Sequence, residues 1–365
     1  MKKFLIFIIG LCLTMISVLA DEVNVLPSVR GIVKNFEYVD VDDSFEHTRQ
    51  VVEVQLLNGG NKGSILYLEN SLTGNPYYDI KLKKGVKVLL HVEDDEGNLI
   101  YSIEDIERSS ILLILSILFC SLLIYVGRKK GIYSLVSIML TCILILNLLS
   151  PMILAGVNPA IATFLICLFS TIVTMYFVGG FNRKSTSAII GCMLSLLLAA
   201  ILSLLTVKLA SLNGFSNEHS MFLYSTYPNL NFVLIAVSTM ILATLGAVMD
   251  VAMSIASTIN EISEVDTNKT IKELFNCGMN VGRDIIGTMA NTLILVYLGA
   301  SLPLVLLTSN IDMQKFMNLN QVVTEVASAL IGSCAIVICV PLTAFISANL
   351  VKRKQENLIV NLHQD

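Results

Sequence analysis

Seven apolar stretches, each close to or above the length needed to cross a bilayer, constrain this 365-residue chain more than anything else in it. They lie at about Ser109 to Val126, Ile132 to Leu149, Pro159 to Val178, Ser185 to Val207, Phe232 to Val251, Ile285 to Leu307 and Val322 to Val351. A hydrocarbon core about 30 Å thick takes about 20 helical residues. Backbone polar groups in lipid must be satisfied within the chain, so each stretch is read as a transmembrane helix. The composition agrees: 55% of residues are hydrophobic and 14% charged, against about a quarter charged in soluble domains. A net charge of -4 with no concentrated basic face excludes a nucleic-acid partner.

The charges are segregated along the chain. Between Asp21 and Arg108 there are 9 basic and 17 acidic residues, whereas the remainder carries 15 basic and 11 acidic. Ahead of this acidic segment, Lys2 and Lys3 precede an apolar run from Phe4 to Leu13, and Val18-Leu19-Ala20 suits a signal peptidase. Residues 1–20 therefore read as a secretory signal cleaved after Ala20, the alternative being an uncleaved anchor. Either way, the segment 21–108 is exported. With it outside, the cytoplasmic side receives Arg128, Lys129, Lys130, Arg183, Lys184, Lys269, Lys272, Arg283, Lys352, Arg353 and Lys354, and the external loops only Lys208 and Lys315. Eleven against two satisfies the positive-inside rule, with 109–351 as the membrane domain and 352–365 as a cytoplasmic tail.

The exported segment alternates apolar and polar residues at Val51 to Leu57, Ser64 to Leu68, Val86 to His91 and Leu99 to Ile103, and Val29 to Val33 supplies a first strand. Period two means half-buried strands. Asn58-Gly59-Gly60, Thr73-Gly74-Asn75-Pro76, Lys84-Gly85 and Glu96-Gly97-Asn98 carry turn chemistry between them. About five strands in this length predict a small barrel of the oligonucleotide-binding or SH3-like kind. The acidic groups Asp40, Asp42, Asp43 and Glu46, and Glu93 to Glu96, lack calcium-loop spacing and read as solvated turns. His47 and His91 are isolated. The segment has no cysteine; Cys12 lies in the signal, Cys277 in a polar loop and the other six in apolar runs, where they read as packing filler.

The spans differ in kind. The first is nearly all Ile, Leu and Phe, as suits a lipid-facing helix. The fourth places Ser187, Gly191, Ser195, Ala199 and Ser203 at a spacing of four, which lets another helix approach closely. The loop Leu209 to Asn231, with His219, Tyr224, Tyr227 and Pro228, is expected along the outer interface. Ionisable residues in lipid are costly and mark function, and here they gather in the last three spans. Asp250, Ser254, Ser257 and Glu261 fall at i, i+4, i+7 and i+11 on one helix face. Asp284, Thr288 and Asn291 share a second face next to Arg283, and Glu325, Ser328 and Gly332 a third, with Pro341 a candidate kink further along.

Three stretches carry a resemblance. Met249-Asp250-Val251-Ala252-Met253-Ser254-Ile255-Ala256, Gly282-Arg283-Asp284-Ile285-Ile286-Gly287-Thr288-Met289-Ala290-Asn291-Thr292-Leu293-Ile294-Leu295, and the block from Gly332-Ser333 to Val340-Pro341-Leu342-Thr343-Ala344 resemble the YibE/F-like family of bacterial polytopic membrane proteins. Asn70-Ser71-Leu72-Thr73-Gly74-Asn75-Pro76 resembles that family's extracytoplasmic region. The resemblance implies a bacterial plasma-membrane protein described as uncharacterised or as a permease, and leaves the substrate open.

The residues themselves favour a permease whose carboxylates form a cation- or proton-coupled site for a small ion or solute. Two alternatives compete with it. In one, Asp250 and Asp284 pair structurally with Arg283, and the exported barrel binds a ligand or partner in a structural or signalling protein. In the other, the two aspartates serve an intramembrane protease, but Gly282-Arg283-Asp284 lacks a small residue directly before the aspartate and Arg283 would hold its neighbour ionised. The chain is therefore read as no enzyme. No phosphate loop or dinucleotide turn exists, so no cofactor is implied. Beyond membrane lipid, the expected partners are a second copy of the chain or another membrane subunit.

Overall fold

The structure, a computed structural model, describes residues 29–40, 48–95 and 98–362. The expected signal peptide and Asp42, Asp43, Glu46 and His47 lie outside the described residues. The chain divides after Tyr125 into two compact units. No residue from Ser109 to Val126 is buried.

In the first unit, strands β1 (Val29–Asp40), β2 (Thr48–Leu56), β3 (Ile65–Leu72), β4 (Lys87–Asp95) and β5 (Asn98–Ile106) form one antiparallel sheet in the order β3-β2-β1-β4-β5. The edge strands β3 and β5 approach each other, so the sheet is a nearly closed barrel. Alternation fills it: Val52, Val54 and Leu56 of β2 point inward with Val33, Leu82, Val88 and Leu90. One inward position is polar. Gln50 is fully buried, its amide donating to the Leu82 carbonyl (3.1 Å) while its oxygen accepts from the Leu82 N–H (3.1 Å) and from Asn70 Nδ2 (3.1 Å).

That clamp holds the β3–β4 connection against the barrel. Asn70 Nδ2 also donates to the Ile80 carbonyl (2.7 Å). Asp79 accepts from the Thr73 N–H (2.6 Å), the Thr73 hydroxyl (2.9 Å) and the Gly74 N–H (2.8 Å), with Gly74 at φ 80°. Asn70, Thr73, Gly74 and Asn75 thus form a hydrogen-bonded turn, and Tyr77 and Tyr78 stack edge to face on its exposed crown.

The second unit is helical. Among the described residues, six helices are long and apolar enough to cross a membrane. The first such segment begins within the first unit and spans Ser109–Leu154, with α1 (Ser109–Leu144), a π turn at Ile145–Leu149 and α2 (Ser150–Leu154). As one rod its 46 residues would run about 69 Å, over twice a hydrocarbon core. It is not one rod, because Arg128 leaves helical geometry at φ 48°, ψ -128° within the Arg128-Lys129-Lys130 run. Beyond that break Leu140, Leu144 and Leu149 pack on Ala162, Ile166 and Val173 of α3 (Pro159–Gly179), and Ser137 Oγ donates to Thr174 Oγ1 (2.5 Å).

The core lies among α4 (Arg183–Leu209), α6 (Phe232–Val265) and α10 (Asn320–Leu362). Ser187, Gly191, Ser195, Ala199 and Ser203 are all buried on α4, and a Cβ at Gly191 would collide with Thr343 of α10. The helix runs on through Pro341. The short α5 (Glu218–Thr226), α8 (Leu302–Leu306) and α9 (Met313–Met317) lie in the connections, and Phe215 stacks on Phe232 and meets Tyr224 edge-on.

The remaining long helix, α7 (Ile271–Ala300), starts well before the expected span at Ile285. The polar stretch Asn260 to Gly282 therefore holds only a short loop, and Cys277 lies on a helix rather than in a loop. A capping box starts α7: Thr270 Oγ1 accepts from the Glu273 N–H while Glu273 accepts from the Thr270 N–H (2.8 Å). Leu274, Gly278 and Gly282 then bury one face of its first half.

Candidate functional site in the membrane unit

The register of α6 against α7 fixes where the acidic residues stand. Gly278 lies against Ile259, and Gly332 of α10 adjoins both Leu293 and Thr244. The two helices are thus antiparallel, with Ile259 level with Gly278 and Thr244 level with Leu293. Asp250 then stands level with Gly287, and Asp284 is less than one turn away, about 4.5 Å in depth. Asp250 is near the middle of the 34-residue α6 and Asp284 near the middle of the 30-residue α7.

Burial fixes where they face. On α6, Val248, Val251, Ala252, Ile255, Ala256 and Ile259 are buried, while Asp250, Ser254 and Glu261 on the opposite side are exposed and Ser257 is half-buried. On α7, Asp284, Thr288 and Asn291 are exposed opposite Gly278 and Gly282. The sequence reading expects carboxylates buried between facing helices. Within one chain they instead line the outer surface of the bundle, because both helices use their apolar and small faces to pack on α10 and on each other.

The expected pairing through Arg283 is not formed. Its Nη1 donates to Asn280 Oδ1 (3.1 Å), and among the described residues no ion pair joins it to Asp250 or Asp284. Thr288 and Thr292 turn their hydroxyls onto carbonyls of their own helix, leaving the carboxylates and the Asn291 amide as the reactive surface of this face. Glu325 belongs elsewhere. It is half-buried near the start of α10, close to Tyr297 of α7, which also lies near Ser328. Tyr297 lies 13 residues beyond Asp284, about 20 Å further along α7. Sequence reasoning missed Tyr297, whose only signal is a lone phenol in an apolar run.

No group of His, Cys, Asp and Glu that could hold a metal ion occurs among the described residues. Cys167, Cys192 and Cys339 are buried in the bundle, where Cys339 contacts the Val248 carbonyl and Thr343.

Apolar helices of membrane-crossing length, a polar face on two of them and an appended barrel define a multi-pass membrane protein. A family model described as YibE/F-like protein matches residues 115–353, and one described as YibE/F family N-terminal domain matches residues 32–106. The chain belongs to the YibE/F-like family. No curated protein and no solved structure matches it.

Proposed function

We propose that the chain is a permease of the bacterial plasma membrane that moves a cation, or a solute coupled to a cation or proton, along the face bearing Asp250, Ser254, Ser257, Glu261, Asp284, Thr288 and Asn291. The observation that carries this reading is the level placement of Asp250 and Asp284 near mid-helix, each with a serine or threonine one turn on along the same helix face. A lone intramembrane carboxylate is expensive, and two at one depth on neighbouring helices mark a level at which a cation would be held. Glu325 with Tyr297 and Ser328 would form a separate outer station on the path.

Seven crossings serve this reading, the break at Arg128 supplying the turn between the first two. The end-to-end placement of charge supports the orientation. Arg183 donates to the Leu350 carbonyl (2.9 Å) and Lys352 to the Thr267 carbonyl (3.1 Å), which gathers the basic start of α4, the α6–α7 loop with Lys269 and the basic run of α10 on one side. At the other end Asn320 donates to Asn213 (2.8 Å) and to the Phe215 carbonyl (2.7 Å). The barrel then lies outside the cell, its strand order favouring the oligonucleotide-binding variety of Greek-key barrel over the SH3-like one.

A second reading, a non-transporting protein whose barrel binds a partner, is favoured by a shallow concavity on the barrel's outer face lined by Asn35, Glu37, Val51, Glu53 and Tyr67. Carbodiimide labelling of native membranes separates the two readings. The permease reading expects modification of Asp250 and Asp284 at neutral pH and protection by Na+, K+ or a raised pH. Absence of modification, or modification that neither condition alters, favours the second reading.

A further inference from the structure

The polar faces of α6 and α7 look away from their own bundle, and hydrocarbon is a poor cover for them. Asp250, Ser254, Asp284, Thr288 and Asn291 are exposed along them, and each charged group left in lipid costs about 2.5–3.5 kcal/mol even on the lower scales. Another outer face of the same bundle differs: Leu194, Leu197, Ile201, Leu204 and Leu205 of α4 present only Leu and Ile to the exterior. The α6–α7 face is therefore built to meet protein.

We propose that its occupant is a second copy of this chain, and that the cation path, which rests on the permease reading, is completed between the two copies. Charge complementarity selects the occupant. Arg283 and Asp284 are adjacent exposed residues of α7, so a twofold axis beside them can set the guanidinium of each copy against the carboxylate of the other, and the same contact is made twice. Asn291 is self-complementary in the same way, because an amide donates and accepts and can pair with its own copy across the axis. Close approach is open, since a Cβ added at Gly246 on α6 or at Gly287 on α7 would meet nothing. A purely acidic face would need a basic partner of another kind; this mixed face does not. Each copy would supply Asp250 and Asp284 to a cavity that neither encloses alone.

The assembly is tested on the full-length protein in its own membrane, independently of any flux. Two differently tagged copies are co-expressed, each with Asn291→Cys in a background whose native cysteines are replaced, and treated with a short bismaleimide. Linked pairs carrying both tags are expected at Asn291→Cys, and loss of that signal is expected at the control Leu205→Cys on the outer surface of α4. In parallel, the wild-type tagged copies should purify together, Arg283→Glu should lose that association, and Arg283→Glu with Asp284→Arg should restore it. Equal linking at both positions, linking of Asn291→Cys only to a different protein, or wild-type copies that never purify together would each overturn the proposal. A transport assay that fails while these contacts persist removes the permease reading and leaves the dimer standing.

Discussion

Replacing Gln50 by Leu tests whether the barrel is held by the clamp at the β3–β4 connection. Gln50 is fully buried and makes two hydrogen bonds to the backbone of Leu82, whose side chain is itself fully buried. The leucine fills nearly the same volume but leaves the Leu82 N–H and C=O unpaired, at about 1–3 kcal/mol each. A gain of about 1.5–2 kcal/mol from burying the aliphatic side chain offsets part of this, for a net loss of up to about 4.5 kcal/mol and about 2 kcal/mol at the middle of the ranges. A domain of roughly 80 residues at about 0.05–0.15 kcal/mol per residue holds about 4–12 kcal/mol in all, so the change removes a large share. The assay is urea unfolding of segment 21–107, expected to be a monomeric, disulfide-free β domain by circular dichroism. Gln55→Leu is the control: its amide donates to the Gly63 carbonyl at 3.3 Å in an exposed setting, and the change should stay within about 0.5 kcal/mol. Equal midpoints for the two variants would refute the role of the clamp, and a helical or disordered spectrum would refute the autonomy of the domain.

Two further outcomes follow from the same structure. Partial desolvation tends to raise the pKa of Asp79, but the Thr73 and Gly74 N–H groups and the Thr73 hydroxyl outweigh it and hold the carboxyl below its ordinary 3.8. A depressed folded pKa contributes stability above the unfolded value and loses it as pH falls below about 3.8; Asp79→Asn should flatten the acid limb of the segment's stability curve, and an unchanged limb would count against the turn. Single cysteines at Lys269 and Lys315, in a background with the native cysteines replaced, should label from the inside and the outside of intact cells respectively, and external labelling at 269 would overturn the orientation.

The strands were legible because alternation and turn residues coincide, so Val52, Val54 and Leu56 announce an inward face. Gln50 sits on that same face, and a polar residue at an inward position is the one signal for the clamp; what it cannot reveal is that its partner lies 32 residues on. The apolar runs announced the membrane helices, but the start of α7 was hidden in a polar stretch, where the Thr270 and Glu273 capping box was the available sign. Helical periodicity placed Asp250 with Ser254, and Asp284 with Asn291. It states which residues share a face and nothing about which neighbour that face meets, and this is why the outward orientation of both faces, and the separation of Glu325 from them, emerge only from the packing of α6, α7 and α10.

The central claim is that Asp250 and Asp284 act in moving a charged species rather than in holding helices together. Asp250→Asn and Asp284→Asn keep volume and remove only charge, and neither side chain has an ion-pair partner within its own chain among the described residues. Thermal stability of Asp250→Asn in detergent should therefore stay near that of the wild type, whereas Asp284→Asn should also weaken association between copies, and complementation of a strain lacking the gene should collapse for both. Full complementation by well-folded variants would contradict the account, and variants destabilised by the roughly 3–5 kcal/mol of a broken buried pair would assign the aspartates a structural role instead.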